Sequence, residues 1–174
     1  YSMESGIPYG IGLIKNKYIG RTFISPGQDT RLDQGRIKLS AVEESVRDKR
    51  VVLIDDSIVR GTTSGRIVKL LREAGAKEIH MRISAPPFLH PCYYGTDIDS
   101  REHLIACRHS VEETAEIIGA DSLGYLPAAE LSSLIGDRGY CSACFDGVYP
   151  TAVPSDTRRD RFEKKLSERN EENS

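Results

Sequence analysis

The sequence predicts an α/β protein built on a parallel sheet with flanking helices. The continuous apolar run Val51–Ile54 is typical of a strand covered on both faces. Residues at helical spacing follow it, and Gly75 is placed to end that helix; they are Ile67, Leu70, Leu71 and Ala74. The stretch Glu78–Ala85 then alternates apolar and polar residues, as a second strand does. A strand, a helix and a strand in this order predict a right-handed crossover between parallel strands.

Composition indicates a globular protein. The 174 residues are 39% hydrophobic and 29% charged, with a net charge of −2, so a chain-wide nucleic-acid surface is not expected. No apolar run has membrane-spanning length, and the amino end lacks the features of a signal peptide. We therefore predict a cytoplasmic protein with no nucleic-acid or membrane partner. Because Tyr1 is not an initiator methionine and an apolar stretch follows almost at once, we also expect a fragment.

The segments before Val51 are predicted to be short. Tyr9–Ile14 is predicted to be a short buried strand, and Leu39–Val46 a brief strand or turn. Between them, residues 15–38 are polar and rich in Gly, Asp and Arg, a pattern that favours either a functional lid or a disordered segment.

The carboxyl-terminal half is predicted to be helical. Pro86 and Pro87 end the second strand, and three helices follow, at Glu102–Ala106, Val111–Gly119 and Ala128–Ile135. Ser110 with Glu113 matches a capping box at the start of the second of these. Gly136 is expected to end the third, and the charged residues from Ser155 onward are expected to form a solvated helix or tail.

Two carboxylates and a small-residue loop follow the first strand. Asp55 and Asp56 would lie at the carboxyl end of that strand, where open α/β sheets bind ligands. Gly61 lets the backbone approach a phosphate closely, and three residues offer hydroxyls and helix-starting amides: Thr62, Thr63 and Ser64. The carboxylates would repel phosphate, so ribose hydroxyls or Mg²⁺ are their expected partners. This pattern predicts a site for a phosphorylated sugar.

Three cysteines form a second group. Cys141 and Cys144 form a C-x-x-C pair, and Cys92 follows the end of the second strand. Such thiols suit a redox pair, a zinc site or an iron–sulfur cluster, and they can also be small buried apolar residues. For Cys107 we favour a structural role.

The run VVLIDDSIVRGTT at residues 51–63 resembles the PRPP-binding signature of type I phosphoribosyltransferases. The resemblance implies a Rossmann-like parallel sheet with flanking helices, incomplete at the amino end and followed by a helical carboxyl-terminal segment. It implies Mg²⁺ binding by Asp55 and Asp56. The implied PRPP-binding residues are Asp55, Asp56, Ser57, Val59, Arg60, Gly61, Thr62 and Thr63.

Longer stretches are similar to the iron–sulfur branch of the glutamine PRPP amidotransferase family. They are SGIPYGIGLIKNKYIGRTFI at 5–24, RIKLSAV at 36–42, SAPPFLHPCYYGTDI at 84–98 and GYCSACFDGVYP at 139–150. The similarity implies a [4Fe–4S] cluster held by Cys92, Cys141 and Cys144, with the fourth ligand upstream of this chain. It also implies a flexible loop over PRPP that contains Lys15, Lys17, Tyr18 and Arg21.

The activity implied by this family is the first committed step of purine nucleotide (IMP) biosynthesis. Ammonia, released from glutamine in a glutaminase domain, displaces pyrophosphate from PRPP to give 5-phosphoribosylamine. The resemblance further implies a homo-oligomer and purine nucleotides as inhibitors.

The expected organisation is a phosphoribosyltransferase domain at 1–126, a helical and cysteine-containing segment at 127–154 and a charged tail at 155–174. The glutaminase domain and its cysteine are absent from this sequence, so we assign no catalytic residue and expect the chain alone to be inactive. A salvage phosphoribosyltransferase and a PRPP-sensing regulator are the alternatives, although neither accounts for the cysteines.

Overall fold

The computed structural model describes residues 1–15, 39–96, 98, 100–135 and 139–153. In chain order the elements are α1 (Ser2–Ser5), β1 (Leu13–Lys15), β2 (Leu39–Ala41), α2 (Glu43–Val46), β3 (Arg50–Asp55), α3 (Thr62–Glu73), β4 (Glu78–Ile83), the 3₁₀ turns Arg101–His103 and Ile105–Cys107, α4 (Val111–Ile118), β5 (Ser122–Tyr125), α5 (Ala128–Ile135) and α6 (Ala143–Asp146).

A parallel sheet forms the centre of the fold. Its strand order is β3-β4-β5, with Val51 opposite Ile79 and His80 opposite Ser122. The predicted strand, helix and parallel strand from β3 through α3 to β4 is therefore confirmed. Strands β1 and β2 form a separate antiparallel pair.

The core lies between this sheet and helices α3 and α4. The alternating side chains of β4 that face the helices are buried, and Val68 and Leu71 of α3 and Ile118 of α4 pack against them; these β4 residues are Ile79, Met81 and Ile83. Alternate residues of a strand point to opposite faces, which is why one face of β4 is apolar and the other polar. Burial of these side chains holds β3 and the start of α3 in place.

Strand β3 departs from the prediction in its burial. Val51 and Leu53 pack against the core, but the side chain of Ile54 is 47% exposed. The prediction of a strand covered on both faces was wrong for the described residues, because α3 and α4 contact each other and cover the same side of the sheet.

The amino-terminal prediction was also wrong in its bounds. The strand is Leu13–Lys15 rather than Tyr9–Ile14, and Tyr9 and Ile14 are 82% and 54% exposed. Among the described residues it pairs with β2, and of its side chains Leu13 packs against the core while Ile14 and Lys15 are exposed. The segment Leu39–Val46 contains both a strand, as predicted, and the single helical turn α2.

Helix predictions beyond β4 were partly confirmed. Helix α4 begins with the predicted capping box, in which Ser110 Oγ accepts the Glu113 N–H and Glu113 Oε2 accepts the Ser110 N–H. Gly119 ends it with a φ of 77°, and α5 has the predicted bounds. The predicted helix Glu102–Ala106 is instead two 3₁₀ turns, because the backbone of Leu104 between them is extended, with φ −81° and ψ 113°.

Some predictions fall outside the described residues. They concern Gly136 and the charged tail from residue 155. The domain boundaries after residues 126 and 154 stay predictions. In the part of the chain that the structure describes, no helix is both long and apolar enough to cross a membrane.

Candidate functional site

A cleft of about 570 Å³ opens at the carboxyl end of β3. One stretch of chain forms almost all of its lining, comprising Asp55, Asp56, Ser57, Ile58, Val59, Arg60, Gly61, Thr62, Thr63, Ser64 and Ile67. The eight residues predicted to bind PRPP therefore all line the cleft, within the loop Asp55–Thr63. The position agrees with the general rule that open α/β sheets bind ligands at the carboxyl ends of their strands.

The two carboxylates are held by hydrogen bonds within the loop. The backbone N–H of Asp56 donates to Asp55 Oδ1 at 2.9 Å, and the hydroxyl of Ser57 donates to Asp56 Oδ1 at 3.0 Å. The Ser84 N–H donates to the Asp55 backbone carbonyl at 3.0 Å, which ties the end of β3 to the end of β4. Both side chains thus start from a backbone anchored to the sheet.

Burial raises the pKa of Asp55. The N–H of Asp56 lowers this pKa in part, while the neighbouring Asp56 charge raises it again. A desolvated carboxylate beside a second carboxylate is stabilised in its charged form when a cation or hydroxyl donors bind it.

The amino end of α3 provides an anion-binding surface. Gly61 is the N-cap, so no side chain caps the first N–H groups of the helix, and the first turn contains no acidic residue. Those N–H groups have no carbonyl partner within the helix and carry the positive end of its dipole. The geometry therefore suits a phosphate group close to Thr62 and Thr63.

Gly61 also meets a steric requirement. Its φ is +78°, and a Cβ built there would lie 2.8 Å from Cδ1 of Ile105. The Ile105 N–H donates to the Val59 carbonyl at 2.9 Å, so the 3₁₀ turn Ile105–Cys107 is also hydrogen-bonded to the loop.

The predicted lid residues are mostly outside the described residues. Lys17, Tyr18 and Arg21 lie there, and nothing tests their role. Lys15 ends β1, is exposed, and is not among the residues that line the cleft.

The predicted cysteine ligands lie on two segments that contact each other. We call Phe88–Thr96 and Cys141–Thr151 together the cysteine lobe. The N–H groups of Leu89 and His90 donate to the Cys144 carbonyl at 2.9 and 3.1 Å, and the Tyr149 hydroxyl donates to the Pro91 carbonyl at 2.8 Å. The rings of Phe88 and Phe145 have centroids 5.0 Å apart, and Tyr93 packs on Tyr149 in a similar way.

Backbone amides stabilise the Cys92 thiolate. Burial acts to raise the pKa of Cys92, but N–H groups of Gly95, Tyr94 and Thr96 outweigh it and lower the pKa to about 7. The Thr96 nitrogen lies 3.4 Å from Cys92 Sγ. A thiol with this pKa is substantially ionised near neutral pH, and the thiolate is the form that ligates metals.

The other thiols lie within electrostatic range. Burial raises the pKa of Cys144, and the charges of Cys92 and Cys141 raise it further. Within the described ranges, no three His, Cys, Asp or Glu residues converge closely enough to hold a single metal ion. The Cys107 thiol instead donates to the Leu89 carbonyl at 3.2 Å, and the structural role expected for it stays a prediction.

Residues 10–97, about half of the chain, match the family described as Phosphoribosyl transferase domain. The chain belongs to this family. The match includes β3, the Asp55–Thr63 loop, α3 and β4, so the cleft lies within the matched phosphoribosyl transferase domain.

The names of similar proteins are more specific than the name of this family. An amidophosphoribosyltransferase of Archaeoglobus fulgidus is 55% identical over 160 residues, which are 90% of this chain and 35% of that protein. One from Bacillus subtilis is 55% identical over 163 residues, covering 90% of this chain and 34% of the relative. The chain thus spans about a third of the length of the curated relatives it matches.

A solved structure confirms the fold of the phosphoribosyl transferase domain. Glutamine PRPP amidotransferase from B. subtilis, described as complexed with ADP and GMP, superposes with a TM-score of 0.76 at 54% identity. The superposition covers 90% of this chain and 36% of that structure. The predicted type I phosphoribosyltransferase fold is confirmed.

Sequence reasoning missed three apolar residues in or beside the cleft. Ile58 and Ile67 line the cleft, and Ile105 packs under Gly61. Ile58 is an apolar residue inside a polar loop, and this was the one local signal available. The contact of Ile105 depends on the tertiary fold and has no signature in the sequence.

Proposed function

We propose that this chain is the phosphoribosyltransferase part of an amidophosphoribosyltransferase that binds PRPP in the Asp55–Thr63 cleft. The observation that carries the proposal is the placement of two carboxylates and an uncapped helix amino end on one short loop. The amides of that helix end suit the 5′-phosphate, and the carboxylates suit the ribose hydroxyls. The names of the similar proteins support the choice of this transferase over the salvage enzyme and the regulator.

In the proposed reaction, the nitrogen lone pair of ammonia attacks C1 of PRPP. A C–N bond forms, the C1–O bond to pyrophosphate breaks, and the leaving pyrophosphate takes the bonding electron pair. The nitrogen then gives up a proton to solvent water, which leaves neutral 5-phosphoribosylamine. Positive charge develops on the ribose ring, where Asp55 and Asp56 would stabilise it. Ammonia is already nucleophilic, so this chain needs no general base.

The carboxylates fit Mg²⁺ by donor chemistry. Asp55 and Asp56 are hard oxygen ligands next to each other, and burial together with the neighbouring charge disfavours the ionised form of Asp55 until a cation arrives. When bound, Mg²⁺ would neutralise the diphosphate and stabilise the leaving group. Asp55 and Asp56 would hold it.

The chemistry of its donor atoms also suits the cysteine lobe to a [4Fe–4S] cluster. Cys92, Cys141 and Cys144 are soft thiolate donors on two hydrogen-bonded segments, and three amides stabilise the Cys92 thiolate. The proposal assigns these three as ligands and the fourth to an upstream residue of the complete protein. The cluster would act as a structural clasp between domains.

The remaining parts of the proposal follow from the resemblance. They are a glutaminase domain as the ammonia source, a cytoplasmic homo-oligomer, inhibition by purine nucleotides, and a loop with Lys15, Lys17, Tyr18 and Arg21 over PRPP. The relative solved with ADP and GMP supports a nucleotide-binding role.

The test uses the protein expressed from its complete coding sequence. We expect Mg²⁺-dependent release of pyrophosphate from PRPP with ammonium or glutamine, and loss of this activity in Asp55→Asn. Glu44→Gln, an exposed carboxylate outside the cleft, is the matched control. Turnover with purine or pyrimidine bases but not ammonia would indicate a salvage enzyme. Tight PRPP binding without turnover would indicate a sensor.

Two further measurements test the finer points. Iron and acid-labile sulfide are expected in the intact protein, and a protein that contains only zinc or no metal would contradict the cluster. The 174-residue chain alone is expected to release no pyrophosphate from PRPP, and robust release would contradict its proposed inactivity.

A further inference from the structure

The 3₁₀ turn Ile105–Cys107 contacts both the Asp55–Thr63 loop and the cysteine lobe. On one side, the Ile105 N–H donates to the Val59 carbonyl at 2.9 Å. On the other, the Cys107 thiol donates to the Leu89 carbonyl at 3.2 Å. One turn of three residues therefore joins two regions that are far apart in the sequence.

The turn is anchored in the core. The side chain of Leu104, directly before it, is 0% exposed, and that of Ile105 is 7% exposed. Cδ1 of Ile105 fills the space that a side chain at Gly61 would need. A packed core resists small displacements, so a shift of this turn would move the loop with it.

The contacts continue into the cysteine lobe. Leu89, whose carbonyl accepts the Cys107 thiol, donates its own N–H to the Cys144 carbonyl at 2.9 Å. A continuous series of contacts thus runs from Cys144 through Leu89, Cys107 and Ile105 to Val59.

We propose that the turn Ile105–Cys107 positions the Asp55–Thr63 loop and that the Cys107 thiol couples this loop to the cysteine lobe. The proposal rests on the proposed function, because PRPP is the ligand that reports the position of the loop. Coupling of this kind is reciprocal, so PRPP bound at the loop also stabilises the hydrogen bonds of the cysteine lobe.

The first experiment measures PRPP affinity in the intact protein under reducing conditions. Cys107→Ala removes the thiol donor, and we expect the Kd for PRPP to rise about two- to fivefold, as loss of one weak hydrogen bond predicts. Cys107→Ser keeps a donor of similar size and is expected to restore an affinity close to that of the wild type. KM for PRPP should rise while kcat stays unchanged, because the reacting groups are untouched.

A stability control separates positioning from general destabilisation. Ile79→Val removes one methyl group from the buried core at the opposite end of β4, outside the cleft lining. It should lower stability by an amount similar to that of Cys107→Ala and leave the Kd for PRPP unchanged. If it weakens PRPP binding equally, the effect of Cys107→Ala is only a loss of stability and the proposal is overturned.

Hydrogen exchange provides a direct measure of coupling. Saturating PRPP is expected to slow exchange at the amides of Leu89 and His90 in the wild type. In Cys107→Ala at saturating PRPP this slowing should be lost. Equal protection in both proteins would refute the coupling.

The remaining outcomes are also decisive. If Cys107→Ala does not fold, Ile105→Val replaces it, since it removes Cδ1 from beneath Gly61 and should likewise raise the Kd. Wild-type affinity in the variant that is measured overturns this inference and leaves the proposed function intact. If the wild type itself does not bind PRPP, the proposed function fails.

Discussion

Gly61 combines two constraints at one backbone position. Its φ of +78° lies in the left-handed region, and the space beside its Cα is filled by Ile105. Gly119 has nearly the same φ, but a Cβ there would lie 3.7 Å from Val68, an ordinary contact distance. Substitutions at Gly61 and Gly119 can therefore be compared to separate the free-energy cost of a strained backbone from the cost of a steric clash.

We expect Gly61→Ala to lower the free energy of unfolding by about 1–3 kcal/mol, the range for a residue held in a disfavoured backbone region. It should also weaken PRPP binding, because relief of the clash displaces the loop. Gly119→Ala, measured in the same urea titration, should cost less and leave binding unchanged. Adding Ile105→Val to Gly61→Ala should recover part of the affinity, and failure to do so would argue against the clash.

The charged carboxylate of Asp55 should favour ligand binding but lower the stability of the folded protein. Because folding raises its pKa, the charged carboxylate costs folding free energy at neutral pH, and this cost disappears as the pH falls through the raised pKa. Asp55→Asn should therefore raise the melting temperature slightly at pH 7 without ligand. The same variant should bind Mg²⁺ and PRPP at least about 30-fold more weakly, as loss of one member of a charged pair predicts.

Calorimetry on the apo protein and titration with Mg²⁺ and PRPP would measure the two effects of Asp55→Asn. Wild-type binding should also weaken on acidification at a higher pH than an ordinary aspartate would give, because protonated Asp55 cannot ligate a cation. A melting temperature lower than that of the wild type would contradict the role of desolvation.

At the scale of elements, α4 depends on its first turn. The reciprocal hydrogen bonds of Ser110 and Glu113 satisfy N–H groups that a helix end otherwise leaves unpaired. The buried face of α4 then covers β5 and contacts α3, the helix whose amino end faces the cleft.

Ser110→Ala should lower the free energy of unfolding by about 1 kcal/mol, the usual effect of removing an N-cap hydroxyl. Ser133→Ala in α5 is the matched control, because Ser133 is exposed and its hydroxyl donates to the Glu130 carbonyl within its own helix. Urea unfolding followed by circular dichroism measures both. Equal effects of the two substitutions would show that the capping box contributes nothing.

Local signals predicted the elements that local interactions form. The capping box of α4 and the alternation of β4 were readable from the sequence for this reason. Strand β5 had no such signal: its strand character comes from pairing with β4, where His80 and Arg82 both contact the Ser122 hydroxyl. Helix α6 is a single turn held within the cysteine lobe.

The same distinction between local and tertiary interactions applies to the candidate site. The Asp55–Thr63 loop could be predicted because its chemistry is contiguous in the sequence. Its support by Ile105 and the hydrogen bonds among the cysteine segments could not, because each joins residues brought together only by the tertiary fold.

At the scale of the whole molecule, Asp121 connects the sheet to α3. Asp121 Oδ2 accepts the Ile79 N–H at 2.6 Å and forms an ion pair with Arg72, which also donates to the Lys77 carbonyl. The Ile79 N–H is the main cause that lowers the pKa of Asp121, with Arg72 adding to it. This network holds the carboxyl end of α3 to the amino ends of β4 and β5.

A carboxyl whose pKa is lowered on folding stabilises the protein above its unfolded-state pKa, and that contribution is lost as the pH falls through the folded-state pKa. Acidification below about pH 4, the ordinary range for aspartate, should therefore remove the contribution of Asp121. Asp121→Asn should lower stability at pH 7 and flatten the acid limb of a plot of unfolding free energy against pH. Asp48→Asn, for which no such network is seen in the described residues, is the control; an unchanged acid limb in Asp121→Asn would refute the assignment.

The contiguity of the cleft lining has an evolutionary consequence. A pocket drawn from one short stretch forms through contacts of low sequence separation, so most substitutions that alter its lining fall within one contiguous segment. Distant residues still support it, and one of them must be an apolar side chain of the right length packed against the glycine, as Ile105 is here. In an alignment, positions 61 and 105 should therefore change together, with any residue larger than glycine at 61 accompanied by a shorter one at 105.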